Sequence, residues 1–195
     1  MVLSHPIELR TDIWKGLADD ELLDLCQGNK HLKIERDESG NILIKSPTNF
    51  LTEFFNSNLL YLLMDWNKKF QVGKFTGSSG GFILPDNSMR APDIAFVLNE
   101  NIEKFTKEEL YKFPHLCPDF VVEVISSKEE LAEAKKKMKM WMSNGCQISW
   151  LLDSFEQKIY IEHKGGIEYI HEDFSVELKG NLFLNGFSFI PKDIF

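Results

Sequence analysis

The sequence has few cysteines, no long hydrophobic run and no typical secretory signal. Its three cysteines, Cys26, Cys117 and Cys146, are odd in number and form no C-x-x-C pair, which argues against a disulfide framework and against a zinc site. The longest apolar runs have the length of a strand, well short of the roughly 18 residues that span a bilayer. The stretch MVLSHPIELRTDIW lacks a basic segment followed by an apolar one, so we expect a cytoplasmic protein without membrane association.

Positive charge is also scarce. The chain has 30 acidic residues against 22 lysines and arginines, a formal net charge of −8 at pH 7. A general electrostatic grip on nucleic acid normally appears as a basic patch or a high pI. The composition argues against such a grip and leaves room for a local basic element. Carboxylates gathered for a divalent cation also give an acidic excess, because hard cations prefer oxygen ligands.

The hydrophobic pattern predicts a mixed α/β domain. A chain of 195 residues is long enough for one domain, and we expect residues 1–30 to form a helical extension packed on a core of residues 31–195. The predicted elements, in chain order, are a helix at 11–25, two strands around the turn ESGN, a long amphipathic helix in SPTNFLTEFFNSNLLYLLMDWNKKF, strands at GFIL, 94–97 and 120–125, a helix from a Ser127–Glu130 capping box to about 144–145, and strands at 148–152, 158–162 and 167–171. This order predicts a central sheet between helices.

One charged residue interrupts an apolar strand. Glu123 lies within FVVEVI, a run typical of a strand covered on both faces. An ionised carboxylate there is costly unless a metal, a cation or hydrogen-bond donors compensate it. Asp93 opens the strand DIAFV, and two carboxylates on neighbouring strand ends can hold Mg²⁺ or Mn²⁺. On these residues alone the spacing favours a plainer arrangement, in which Asp93 caps a turn and Glu123 pairs with an arginine or lysine.

The helix after Glu123 supplies a lysine. Steps of about 100° per residue place Lys137 at the margin of the apolar arc formed by Leu131, Ala134, Met138, Trp141 and Met142. From there Lys137 can lean back towards the sheet. A surface pair with Glu133, worth about 0.2–0.5 kcal/mol, is equally compatible with the spacing.

Taken in order, these motifs resemble the PD-(D/E)XK nuclease superfamily, and more closely its Uma2 family of restriction-endonuclease-like proteins. The resemblance covers most of residues 46–162 and rests on SPTNFLTEFFNSNLLYLLMDW, SSGGFILPDNSMRAPDIAFV, CPDFVVEVISSKEEL and KMKMWMSNGCQISWLLD. It implies a restriction-endonuclease-like core, with a central mixed β-sheet flanked by α-helices. It also implies an endonuclease that hydrolyses DNA phosphodiester bonds with Mg²⁺ or Mn²⁺.

Carried over residue by residue, the resemblance implies that Asp93 and Glu123 are metal ligands and that Lys137 is the catalytic lysine. The superfamily usually places this lysine two residues after the glutamate, where this chain has Ile125. In this family the following helix supplies it, and Lys137 occupies that position.

Two departures from the family pattern support a second hypothesis. Many relatives carry an acidic residue where this chain has Leu51, and an aspartate where it has Gly77. The alternative is therefore a catalytically degraded nuclease fold that acts as a binding or assembly module. A hydrolase of other phosphate esters is a third class, but GSSGG at 77–81 lacks the lysine and the strand-to-helix setting of a P-loop. For an endonuclease we expect DNA as substrate and a homodimer, because cutting both strands suits a two-fold pair.

Overall fold

The computed structural model of the chain describes residues 7–9, 16–180 and 182–195, with only the backbone of 7–9, 167 and 168. The helices among these residues are α1 Asp19–Gly28, α2 Phe50–Phe70, α3 Asn99–Ile102, α4 Lys107–Leu110 and α5 Leu131–Ser143. The strands are β1 Ile7–Leu9, β2 Lys33–Arg36, β3 Ile42–Lys45, β4 Gly73–Gly77, β5 Phe82–Ile83, β6 Met89–Arg90, β7 Ile94–Leu98, β8 Phe120–Ile125, β9 Ile148–Asp153, β10 Lys158–His163, β11 Ile167–His171, β12 Leu178–Lys179 and β13 Ser188–Phe189. None of the helices in this part of the chain has both the length and the apolar character needed to cross a bilayer.

The central sheet has six strands in the order β11-β10-β9-β8-β7-β4. Strands β8 and β9 are parallel, and the other pairs are antiparallel. Every residue of β8 and β9 is buried, because helices or loops cover both faces of the sheet here and the two strands are mostly apolar. The predicted mixed sheet between helices is confirmed.

Helices α2 and α5 cover opposite faces of this sheet. Asn49 begins α2, because its side chain accepts a hydrogen bond from the Thr52 backbone N–H, an N-cap that satisfies one otherwise free donor. On one face, α2 packs against alternate strand residues and the C-terminal segment, with the buried residues Phe55, Leu59, Leu63, Val122, Trp150, Phe174 and Phe187. On the other face, α5 contributes Ala134, Met138 and Trp141.

The start of α5 differs from the prediction. A short 3₁₀ turn, Lys128–Glu130, precedes the helix, and the Ser127 side chain makes no capping hydrogen bond. Instead, the Glu130 carboxylate accepts a hydrogen bond from the backbone N–H of Ser126. The predicted capping box is therefore wrong, whereas the predicted end holds: Gly145, with φ 110°, follows α5.

A second sheet, β1-β3-β2-β6-β5, is entirely antiparallel and packs beside the central one. Helix α1 lies on it through Leu22, which is fully buried with Ile34, Ile42 and Met89. The helix predicted at 11–25 begins at Asp19 within the described residues and ends at Gly28, and residues 11–15 lie outside them. The first thirty residues also contribute β1, so this segment is not purely helical.

Candidate active site

The pairing of β7 with β8 brings the two predicted carboxylates together. Ile94 lies opposite Val122 in this antiparallel pair. Continuing the register by one residue places Asp93 opposite Glu123. Directly opposed residues point to the same face of a sheet, and for Glu123 this is the face that α5 covers, because its side chain contacts Trp141 and Lys137 of that helix.

Glu123 is compensated by two side chains of α5. The indole N–H of Trp141 donates to Glu123 Oε1 at 2.9 Å, and Lys137 Nζ lies 2.7 Å from the same oxygen. The carboxylate is 8% exposed. Among the described residues, Oε2 of Glu123 accepts no hydrogen bond. The surface pair considered for Lys137 does not form, because Glu133 pairs with Lys136 at 3.4 Å.

Asp93 combines a structural contact with an open side. Its Oδ2 accepts a hydrogen bond from the backbone N–H of Val124 at 2.9 Å, which ties the start of β7 to β8. Its Oδ1 lies 3.5 Å from Lys33 Nζ, and the side chain is 20% exposed. Asp93 is therefore partly exposed just before β7, whereas Glu123, opposite it on β8, points under α5.

A third carboxylate, Glu35 of β2, lies beside Glu123 and Lys137 and was not predicted from the sequence. We call Glu35, Asp93, Glu123 and the lysines that contact them the cluster. It is fully buried, with Oε1 2.6 Å from Lys45 Nζ, 3.2 Å from the Ala91 backbone N and 3.8 Å from Lys137 Nζ. Its Oε2 lies 3.4 Å from Arg90 Nη1. Burial alone raises the pKa of Glu35, but Lys137, Lys45 and Arg90 outweigh burial and hold the pKa well below its ordinary value. Glu35 is therefore an ionised buried group.

The cations of the cluster are perturbed in opposite directions. Burial lowers the pKa of Lys45 to about 8, with the nearby Lys137 acting in the same direction and Glu35 and Glu123 opposing. Burial also favours a lower pKa for Lys137, but the carboxylates of Glu123, Glu35 and Asp93 outweigh it and raise the pKa. Lys137 is thus an ammonium group held beside two carboxylates, 2.7 Å from Glu123 and 3.8 Å from Glu35.

The donor set suits a hard divalent cation with an incomplete protein shell. Among the described residues, no three His, Cys, Asp or Glu side chains are grouped as a complete metal cage. Asp93 and Glu123 supply two carboxylates on one face, and Mg²⁺ is commonly held by one or two carboxylates with water and phosphate oxygens as its other ligands. Leu51 is 61% exposed on the first turn of α2, and its aliphatic side chain supplies no ligand.

Comparison with known proteins identifies the fold and the family. A solved structure of a "putative nuclease belonging to DUF820" from Anabaena variabilis is similar, with a TM-score of 0.77 and 18% sequence identity over 92% of this chain and 97% of that one. No curated protein gives a significant match to the sequence. The family model Uma2, described as "Putative restriction endonuclease", matches residues 19–191. The predicted restriction-endonuclease-like fold is confirmed, and the chain belongs to the Uma2 family.

Proposed function

We propose that this protein is a divalent-metal-dependent endonuclease that hydrolyses DNA phosphodiester bonds. The nuclease-like family supports the reaction class. The observation that carries the proposal is the convergence of Asp93, Glu123 and Lys137 from two paired strands and the following helix. Ion pairs with a purely structural role also shift the pKa of buried groups. Cleavage assays on variants of these residues distinguish a structural role from a catalytic one.

In the proposed site, Asp93 and Glu123 hold Mg²⁺ or Mn²⁺. A cation bound there would act as a Lewis acid on a phosphate oxygen and lower the pKa of a bound water. Glu123 is oriented by the Trp141 indole N–H, which fixes the direction of its carboxylate. Asp93 is oriented by the Val124 N–H. Both ligands are thus positioned by contacts that do not depend on the cation.

Lys137 serves as a hydrogen-bond donor and a positive charge rather than as a base. An ammonium 2.7 Å from one carboxylate and 3.8 Å from another is held protonated. In hydrolysis a bond forms between the water oxygen and phosphorus, the bond from phosphorus to the leaving oxygen breaks, and the water's proton ends on the leaving alcohol or in solvent. Negative charge builds on the phosphate during this step, and Lys137 would stabilise it.

A local basic element reconciles DNA as substrate with the acidic composition. Lys33 and Lys45 join the cluster from β2 and β3, and their side chains are 29% and 24% exposed. Lysine binds phosphates as a mobile point charge. We propose that these two lysines contact the DNA backbone beside the scissile phosphate.

Nicking of supercoiled plasmid tests the proposal. We expect cleavage with Mg²⁺ or Mn²⁺ and none with EDTA, and we expect Asp93→Ala, Glu123→Ala and Lys137→Met each to abolish it while the far-ultraviolet circular dichroism stays unchanged. Lys136→Met and Glu133→Ala are matched controls, because both residues lie on α5 and pair with each other at the surface. Undiminished cleavage by Glu123→Ala would remove the mechanism.

A catalytically degraded module is the second candidate. The exposed Leu51 in place of an acid favours it, as does the pairing of Glu123 and Glu35 with lysines of the chain itself. Calorimetric titration of Mg²⁺ or Mn²⁺ separates the candidates, because a degraded site would show no binding that depends on Asp93 and Glu123. For the active enzyme we also propose a homodimer, whose two sites would cut the two strands of a duplex.

A further inference from the structure

The outward face of α2 is unusually apolar. Phe50, Phe54, Tyr61 and Met64 lie within an arc of about 80° on this helix, and their side chains are 80%, 47%, 63% and 49% exposed. This arc, which we call the α2 stripe, lies opposite the buried face that carries Leu59. A helix on the surface of a globular protein normally places polar residues there. The α2 stripe therefore has the composition of a covered surface.

The exposed area matches the apolar part of a protein interface. Taking about 200 Å² for each large side chain, the four residues expose roughly 500 Å². A single exposed patch of this size on a monomer commonly marks an interaction site. A stable interface buries about 800 Å² per partner, of which a little more than half is apolar. The α2 stripe alone supplies that apolar share.

The α2 stripe is complementary to itself. Its two N-terminal members, Phe50 and Phe54, and its two C-terminal members, Tyr61 and Met64, are arranged around Ser57, which is small and exposed. In an antiparallel pair of α2 helices crossing beside Ser57, Phe54 of one copy meets Tyr61 of the other, and Phe50 meets Met64. A small residue at the crossing point allows the two helices to approach closely.

We propose that the α2 stripe binds the α2 stripe of a second copy of this chain in a two-fold symmetric dimer. The helix also connects this surface to the candidate active site, because Asn49 at its N-terminus donates to Ser126 Oγ at 2.8 Å, three residues after Glu123. The proposal concerns assembly only, so its test reads mass and does not require DNA cleavage.

Light scattering coupled to size-exclusion chromatography measures the mass of the intact chain directly. At about 100 µM chain, which saturates a dimer with a micromolar dissociation constant, we expect twice the chain mass of 22.6 kDa. The double variant Phe54→Glu with Tyr61→Glu is expected to elute with the mass of a single chain and to keep its helical circular dichroism. Tyr111→Glu is the matched control, because Tyr111 is 75% exposed outside α2, and it should stay dimeric.

A wild-type chain that stays at the mass of one chain would overturn the proposal. A folded Phe54→Glu, Tyr61→Glu double variant that remains dimeric would also overturn it, because the interface would then lie elsewhere.

Discussion

Replacement of Glu35 by alanine should strongly destabilise the metal-free protein. The carboxylate is fully buried and contacts Lys45, Arg90 and the Ala91 N–H. Its removal leaves Lys45 and Lys137 facing each other with less compensating charge. Removing one partner of a buried ion pair typically costs about 3–5 kcal/mol. For a chain of this size, that loss corresponds to a fall in Tm of roughly 10 °C.

Urea unfolding followed by circular dichroism, in buffer containing EDTA, measures this loss as a change in the free energy of unfolding. Glu38→Ala is the matched control, because Glu38 contacts the same Arg90 at 3.4 Å but is 61% exposed. An exposed ion pair contributes at most about 1 kcal/mol. If Glu35→Ala costs no more than Glu38→Ala, the buried carboxylate does not stabilise the cluster.

Substitutions of Glu35, Trp141 and Lys33 should affect acid stability, carboxylate orientation and DNA binding, respectively. Because burial is outweighed by Lys137, Lys45 and Arg90, the pKa of Glu35 is lower in the folded chain than its ordinary value of 4.5. The stabilisation that ionised Glu35 gives the fold is therefore complete above about pH 4.5 and is lost as the pH falls through the folded pKa. The free energy of unfolding of Glu35→Gln, measured across this acid range, should fall less steeply than that of the wild type. Trp141→Phe removes the indole donor to Glu123 and should lower the free energy of unfolding in urea by about 1–3 kcal/mol. It should also slow plasmid nicking. An unchanged nicking rate would show that this hydrogen bond does not orient the Glu123 carboxylate. Lys33→Gln should weaken DNA binding, measured by fluorescence anisotropy, and lower the slope of log K against log salt by about one, whereas Lys136→Gln should leave the slope unchanged.

The sequence allowed site residues to be predicted where a residue breaks the hydrophobic pattern of its own segment. Glu123 stands out because a charge interrupts an apolar run, and Asp93 because it opens the neighbouring strand. The helical period placed Lys137 at the margin of the buried arc, and in the structure its ammonium group lies 2.7 Å from Glu123. Their proposed roles in metal binding and catalysis stay predictions. The order of strands and helices followed from the same local periodicities.

Glu35 had no such signal. It lies in KIERDESGN, a mostly polar stretch that reads as an ordinary hairpin. Its burial comes from Arg90 and Ala91, more than fifty residues further along the chain, and from Lys137 on α5. Contacts at such distance in the sequence leave no periodic trace at the residue itself. The start of α5 was wrong for a different reason: the Ser127–Glu130 spacing fits a capping box, but Glu130 bonds the N–H of Ser126 instead.

We propose that Asp93 and Glu123 jointly hold a divalent cation beside Lys137. The most direct test is the anomalous difference density of a crystal soaked in Mn²⁺. We expect a peak between the two carboxylates, about 2.0–2.2 Å from an oxygen of each, and its loss in Glu123→Ala crystals. If a soaked wild-type crystal shows no peak there, or manganese bound only elsewhere, Asp93 and Glu123 do not form a shared cation site.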